Sequence, residues 1–122
     1  MSFKDEITKA IGAHGMWKAR LRAAIDTGKL DASVADVRKD NGCAFGQWLY
    51  GATIPAAAKA SPDYTTVKGL HAKFHECAAK VLELASKGAK AEANKLMDGE
   101  YATISSQLTA AMMKWTSSSA AA

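Results

Sequence analysis

Long apolar runs are missing from this sequence, and so are the clusters of β-branched residues that mark strands. Without the first, no segment has the ~20 apolar residues needed to cross a bilayer. Without the second, a sheet has little to build on. The opening stretch MSFKDEITKAIG is charged where a secretory signal would be apolar. The expectation is a soluble, cytoplasmic protein with no membrane partner. Only two cysteines occur, and in such a compartment they read as thiols or metal ligands rather than a disulfide. Histidine is equally scarce, with three in the chain. Which of these five side chains can meet therefore decides most of the chemistry open to the protein.

What is present points to helix. The 122 residues make one domain, and a hydrophobic share of 48% rich in alanine favours a globular helical chain over a disordered one. The net charge of +4 raises the question of nucleic acid. The basic residues are scattered, however. Their densest run, Lys18, Arg20 and Arg22, has no RNA-reading motif around it, so it reads as solvated surface.

Ser2 can cap a first helix from about Phe3 to Asp26, ended by Gly28. Its apolar stripe is Phe3, Ile7, Ile11, Trp17, Leu21 and Ile25, and His14 falls near the centre of that stripe. Residues 28–42 form a polar connector with one helical turn at Ser33–Arg38. A short helix then carries CAFGQWLY, beginning at Cys43 and stopping at Gly51. The connector IPAAAKASPD holds both prolines. Ser61 or Asp63 caps a long helix to about Lys87, closed by Gly88, whose inward stripe is Val67, Leu70, Phe74, Ala78, Val81, Leu82 and Ala85. The last helix spans about Ala89 to Trp115, with Leu96, Met97, Ile104, Leu108, Met112 and Trp115 facing inward. The predicted fold is all-α, a four-helix bundle of three long helices and one short helix that carries the cysteine. Residues 1–116 make up the bundle, and 117–122 a low-complexity, disordered tail.

The stretch LHAKFHEC holds two histidines and a cysteine. His71 and His75, four apart, share one helix face. Cys77 lies about 200° round from His75 and faces elsewhere, as a small hydrophobe or a partly exposed thiol. His14 faces the core from the first helix. Cys43 opens the short helix, where free N–H groups favour a thiolate, with Gly42 and Gly46 leaving room around it. Three nitrogens and one sulfur suit tetrahedral Zn²⁺. The competing reading is that three core histidines and a core cysteine satisfy one another without metal.

Catalytic metal motifs fail. A zincin needs Glu after its first histidine, where Ala72 stands, and the inverted form needs Glu where Phe74 stands. A di-iron bundle needs Glu three before each histidine, where Ile11, Lys68 and Ala72 occur. Four protein donors would leave no open position for water, so no enzyme is expected.

HGMW (His14–Trp17), CAFGQWLY (Cys43–Tyr50) and HAKFH (His71–His75) resemble, in order and rough spacing, the signature of the chemoreceptor zinc-binding domain family. The resemblance covers nearly the whole chain, from the first helix into the third of the four, and Cys-x-Phe-Gly-x-Trp is its most specific part. It implies that His14, Cys43, His71 and His75 are the zinc ligands. It also implies that Trp17, Phe45, Gly46, Trp48 and Tyr50 pack the short helix against the bundle. Such domains are regulatory modules of bacterial chemoreceptors and diguanylate cyclases, often homodimeric, held to sense zinc or oxidants such as hypochlorous acid. The implied function is a zinc-dependent sensor in chemotaxis or cyclic-di-GMP signalling with a protein partner. The alternative is a structural or adaptor bundle in which zinc only stabilises the fold.

Overall fold

The computed structural model describes residues 3–29, 33–39, 43–51, 54 and 56–120. Ser2 and Gly42 lie outside the described residues, as does the side chain of Phe3. The elements are α1 (Phe3–Thr27), α2 (Val34–Arg38), α3 (Ala44–Tyr50), α4 (Ala56–Lys59), α5 (Pro62–Ser86), α6 (Lys90–Leu96), a π-helical turn (Met97–Tyr101) and α7 (Ala102–Ala120). α6, the π turn and α7 are continuous, so three long helical stretches form the all-α bundle, and α3 is the short helix that starts just after Cys43.

The helix ends reflect local chemistry. Ser61 caps α5 by accepting the Tyr64 N–H at 3.2 Å, with Pro62 in the first turn where its missing N–H costs nothing. Asp63 lies inside the helix. At the far end Gly88 has φ +76°, the Gly88 N–H donates to Ala85 O and the Ala89 N–H to Leu84 O. This paired bond closes a helix through a left-handed residue, a conformation that glycine adopts without steric cost. Gly28, at φ +72°, ends α1 with a single bond from its N–H to Ala24 O. No such stop comes after Trp115. The helix therefore runs past the boundary drawn from sequence, through serines and alanines to Ala120.

α5 lies at the centre, packed against α1, α2, α6 and α7. It buries Tyr64, Cys77 and Ala79 in addition to most of the predicted stripe, while Leu70 is only half-buried. An amphipathic stripe describes a helix covered on one side, and α5 is covered on several. In α1 the buried set is Ile7, Ala10, His14, Leu21, Ala24 and Ile25, with Ile11 and Trp17 half-buried. Ala93, Met97, Tyr101, Leu108, Met112 and Trp115 face inward from the last stretch, Ala93 and Tyr101 being additions to the sequence reading, while Leu96 and Ile104 are half-buried.

Contacts at Trp48 and Leu49 hold the far end of α3 in place. The Tyr64 hydroxyl donates to Leu49 O at 2.7 Å, and Trp48 stacks on Trp115 with ring centroids 5.8 Å apart. The carboxy-terminal helix thus braces the short helix that begins beside Cys43. Trp115→Ala is expected to lower stability by about 3–5 kcal/mol, the usual cost of emptying a buried aromatic site. Met113→Ala, at a position 59% exposed, should cost less than about 0.5 kcal/mol. Urea titration of both variants checks the contrast.

Candidate metal centre

Three helical elements deliver four donors to one point. His14 comes from the middle of α1, His71 and His75 from successive turns of α5, and Cys43 from the N-cap position of α3. The histidines are buried, at 7%, 0% and 3% exposure, and Cys43 is half-buried. His71 Nε2 lies 3.0 Å from His14 Nε2, 3.1 Å from His75 Nε2 and 3.4 Å from Cys43 Sγ. Cys43 Sγ lies 3.5 Å from His75 Nε2, and no two of the four donor atoms are more than 4.8 Å apart. Cys77 is buried on another side of α5 and takes no part in the group.

The partners fix the proton positions. His14 Nδ1 lies 2.7 Å from Ala10 O, and His75 Nδ1 lies 2.8 Å from Val37 O. A carbonyl only accepts, so both Nδ1 atoms carry the proton and donate. Both Nε2 atoms then present lone pairs to the centre, each against His71 Nε2. One N–H on His71 Nε2 can point at only one of them, which leaves the other to the weak S–H donor of Cys43, 3.5 Å from His75 Nε2. His71 Nδ1, also buried, has no hydrogen-bond partner among the described residues. On the sulfur side the Gly46 N–H donates to Cys43 Sγ at 3.3 Å, a contact that stabilises negative charge there. The arrangement is poor for neutral groups alone and good for a cation.

The spacing supports the same conclusion. Tetrahedral zinc with about 2.0–2.1 Å to nitrogen and about 2.3 Å to sulfur requires N···N edges of about 3.3–3.4 Å and N···S edges of about 3.6 Å. Four of the six separations among the donor atoms fall within a few tenths of an ångström of those values, and the other two are no longer than 4.8 Å. The two ring protons held by carbonyls also fix the imidazoles in the tautomer that frees Nε2 for a metal, as outer hydrogen bonds do in zinc sites generally. Aromatic rings enclose the group. Phe45 meets His71 and His14 edge-on at 5.1 and 5.9 Å, and Phe74 meets His14 and His75 at 5.0 and 5.8 Å.

Similarity to known families agrees with this geometry. The chemoreceptor zinc-binding domain family matches residues 14–82, more than half of the chain. This protein belongs to that family. The matched segment starts at His14 and contains all four donors, while α6, the π turn and α7 lie beyond it. The family binds zinc and is sensory rather than catalytic, and the four side chains here are positioned to hold a metal ion. No curated protein and no solved structure gave a match. Among the described residues no helix is long and apolar enough to cross a membrane.

Two members of the centre were not visible in the sequence, because they are backbone atoms. The carbonyls of Ala10 and Val37 orient two of the three imidazoles. Ala10 O is one helical turn before His14, where any helix residue places its carbonyl. Val37 was within reach of sequence only as part of a connector, and nothing in its identity announces the role.

Burial holds the His14 imidazole below its usual range, partly offset by the Ala10 bond, with the His75 charge acting further against protonation. Burial, then the neighbouring His75 and His14, pushes His71 down to about 2. The unfolded chain would protonate both near pH 6.5. The metal-free fold therefore has this part of its stability above pH 6.5 and loses it as the pH falls toward the folded values. In chelator, the urea midpoint should drop between pH 7.5 and 5, as the unfolding free energy falls by up to about 1.4 kcal/mol per pH unit below 6.5 for each histidine kept neutral. A midpoint that holds level over that interval would contradict neutral burial.

Proposed function

We propose that His14, Cys43, His71 and His75 hold Zn²⁺, and that the protein is a bacterial regulatory domain responding to zinc availability or to oxidation of the Cys43 thiolate. The observation that carries this reading is the convergence of three Nε2 atoms and one Sγ, with His14 and His75 locked by carbonyls in the metal-ready tautomer. Its setting would be cytoplasmic, in chemotaxis or cyclic-di-GMP signalling, with a chemoreceptor or diguanylate cyclase as partner in cis or trans and the domain itself a homodimer. Membership in the chemoreceptor zinc-binding family supports that setting.

A bound zinc ion would cross-link α1, α3 and α5 and stabilise the Cys43 thiolate. The chain's own residues do the rest. The three imidazoles supply neutral nitrogens from a buried, nearly dry interior. Cys43 supplies the one anionic donor, and it is the least buried of the four. Hypochlorous acid would convert that thiolate to the sulfenic acid with release of chloride, which removes the anionic donor. The change would loosen the hold on α3, whose other anchors are the Tyr64–Leu49 bond and the Trp48–Trp115 stack. Phe74 offers a route outward. Its ring packs on His14 and His75 on one side and on Tyr101, in the π turn, at 5.3 Å on the other. A partner reading the surface of the last helical stretch would sense the state of the centre through that contact. With four protein donors and no open position for water, hydrolytic chemistry is not part of the proposal.

The near-complete burial of the histidines favours the second reading, an adaptor bundle in which zinc only stabilises the fold. Oxidant separates the two, since a structural site should keep its metal. Cys43→Ser is expected to weaken zinc binding by tenfold or more, and Cys77→Ser to change it by less than about threefold, in competition with a chromogenic chelator. Equal losses would refute the ligand assignment. Stoichiometric hypochlorite should release zinc from the unaltered protein, as read by mass spectrometry of bound metal, and full retention would leave the adaptor reading standing.

A further inference from the structure

The four donors are not equally sheltered. A cleft of about 170 Å³ is lined by Glu6, Lys9, Ala10, Ala13, His14, Trp17, Cys43 and Phe45, so it reaches two of the donors directly. Its α1 members recur at three- and four-residue intervals, which places them along one stripe of the helix facing α3. The small side chains Ala10 and Ala13 leave the space. Trp17 and Phe45 are its bulky walls, and neither ring is loose. The Arg20 guanidinium lies 3.8 Å from the centre of the Trp17 ring, and Phe45 is packed against His14, His71 and Trp48. Glu6 and Lys9 extend the stripe toward the amino-terminal end, and Lys9 is exposed. The volume is well below the roughly 300–1,000 Å³ of pockets that hold drug-sized ligands.

Resting on the zinc-site reading, we infer that this cleft is the port through which reactants reach the Cys43 sulfur, and that Ala13 and Trp17 set its size limit. Small electrophiles pass to the thiolate, while bulky disulfides and peptide thiols are turned away. Sensing is thereby confined to small oxidants. Reduction of an oxidised Cys43 by a large thiol would require α3 to move first. Ala13 and Trp17 are selectivity residues here, since neither belongs to the donor set.

The test compares two thiol reagents on the full chain, first stripped of metal and then reloaded with zinc, with modification of Cys43 tracked by peptide mass spectrometry so that Cys77 does not interfere. Methyl methanethiosulfonate is small and neutral. The thiolate displaces methanesulfinate from it and forms the S–SCH₃ disulfide. Dithiobis(nitrobenzoate) is bulky, and the thiolate forms a mixed disulfide with expulsion of thionitrobenzoate. Ala13→Leu keeps good helix propensity at an exposed position and narrows the cleft. It is expected to slow the small reagent at least tenfold. Trp17→Ala opens the wall and should speed the large reagent at least tenfold while changing the small one by less than threefold. Rates within twofold of the unaltered protein for both variants and both reagents would overturn the port. Circular dichroism confirms that each variant is folded. Zinc stoichiometry on the same samples is a separate readout, so failure of the ligand assignment and failure of the port are told apart.

Discussion

A buried imidazole nitrogen with a lone pair needs a positive partner, and this bundle brings two such nitrogens up to a third and to a sulfur. The Ala10 and Val37 carbonyls take the Nδ1 protons of His14 and His75, so those rings cannot turn to present N–H inward without abandoning a short hydrogen bond. Burial keeps His14 and His71 from resolving the crowding by protonation. The result is a pocket of electron pairs in a low-dielectric core, with one imidazole N–H and a weak thiol donor as the neutral means of satisfying them. Much of the rest of the architecture exists to hold that arrangement together. α5 carries two of the donors and is buried on several sides, and α3 is held near its start by Phe45 against His14 and His71 and at its far end by Trp48 and Leu49.

The distribution of exposure gives the centre its direction. The three nitrogens lie behind aromatic rings, and the sulfur sits where the packing thins toward the Ala10–Ala13 stripe. A structural zinc site has no need of a route to its thiolate. A reactive one requires it, together with a limit on what can enter. Cys77 makes the contrast. Burial and the nearby Glu100 push that thiol up to about 11, so it remains protonated beside Tyr101 and chemically quiet. Cys43 instead accepts the Gly46 N–H at its sulfur, so the two cysteines of the chain sit in different electrostatic surroundings.

The family match stops at Leu82, yet the site depends on residues beyond that point. Trp115 braces Trp48, and Tyr101 lies against Phe74 behind the histidines. Tyr101 is buried with its hydroxyl unpartnered, within a π turn, a form of helix that is uncommon and tends to mark function. The last helical stretch therefore braces the core that carries the four donors.

Periodicity and end signals are local properties, and they sufficed for the three long helical stretches, the short helix at Cys43 and the inward placement of His14, His71 and His75. The separation of Cys77 from the histidines also came from helix geometry, because 3.6 residues per turn does not depend on what packs alongside. The sequence could not say that the polar connector contributes Val37 O to His75, that Ser61 rather than Asp63 caps α5, or that Tyr64, Tyr101 and Cys77 are buried. Nor could it reveal that the helix continues past Trp115 to Ala120, where the tail was expected to begin. Those features belong to contacts between segments far apart in the chain or to competition between equivalent local signals. Backbone carbonyls are common to every residue, so which of them meets a histidine ring is decided only when α2 docks on α5. The residue types named the chemistry, and tertiary packing chose the protons, the partners and the route in.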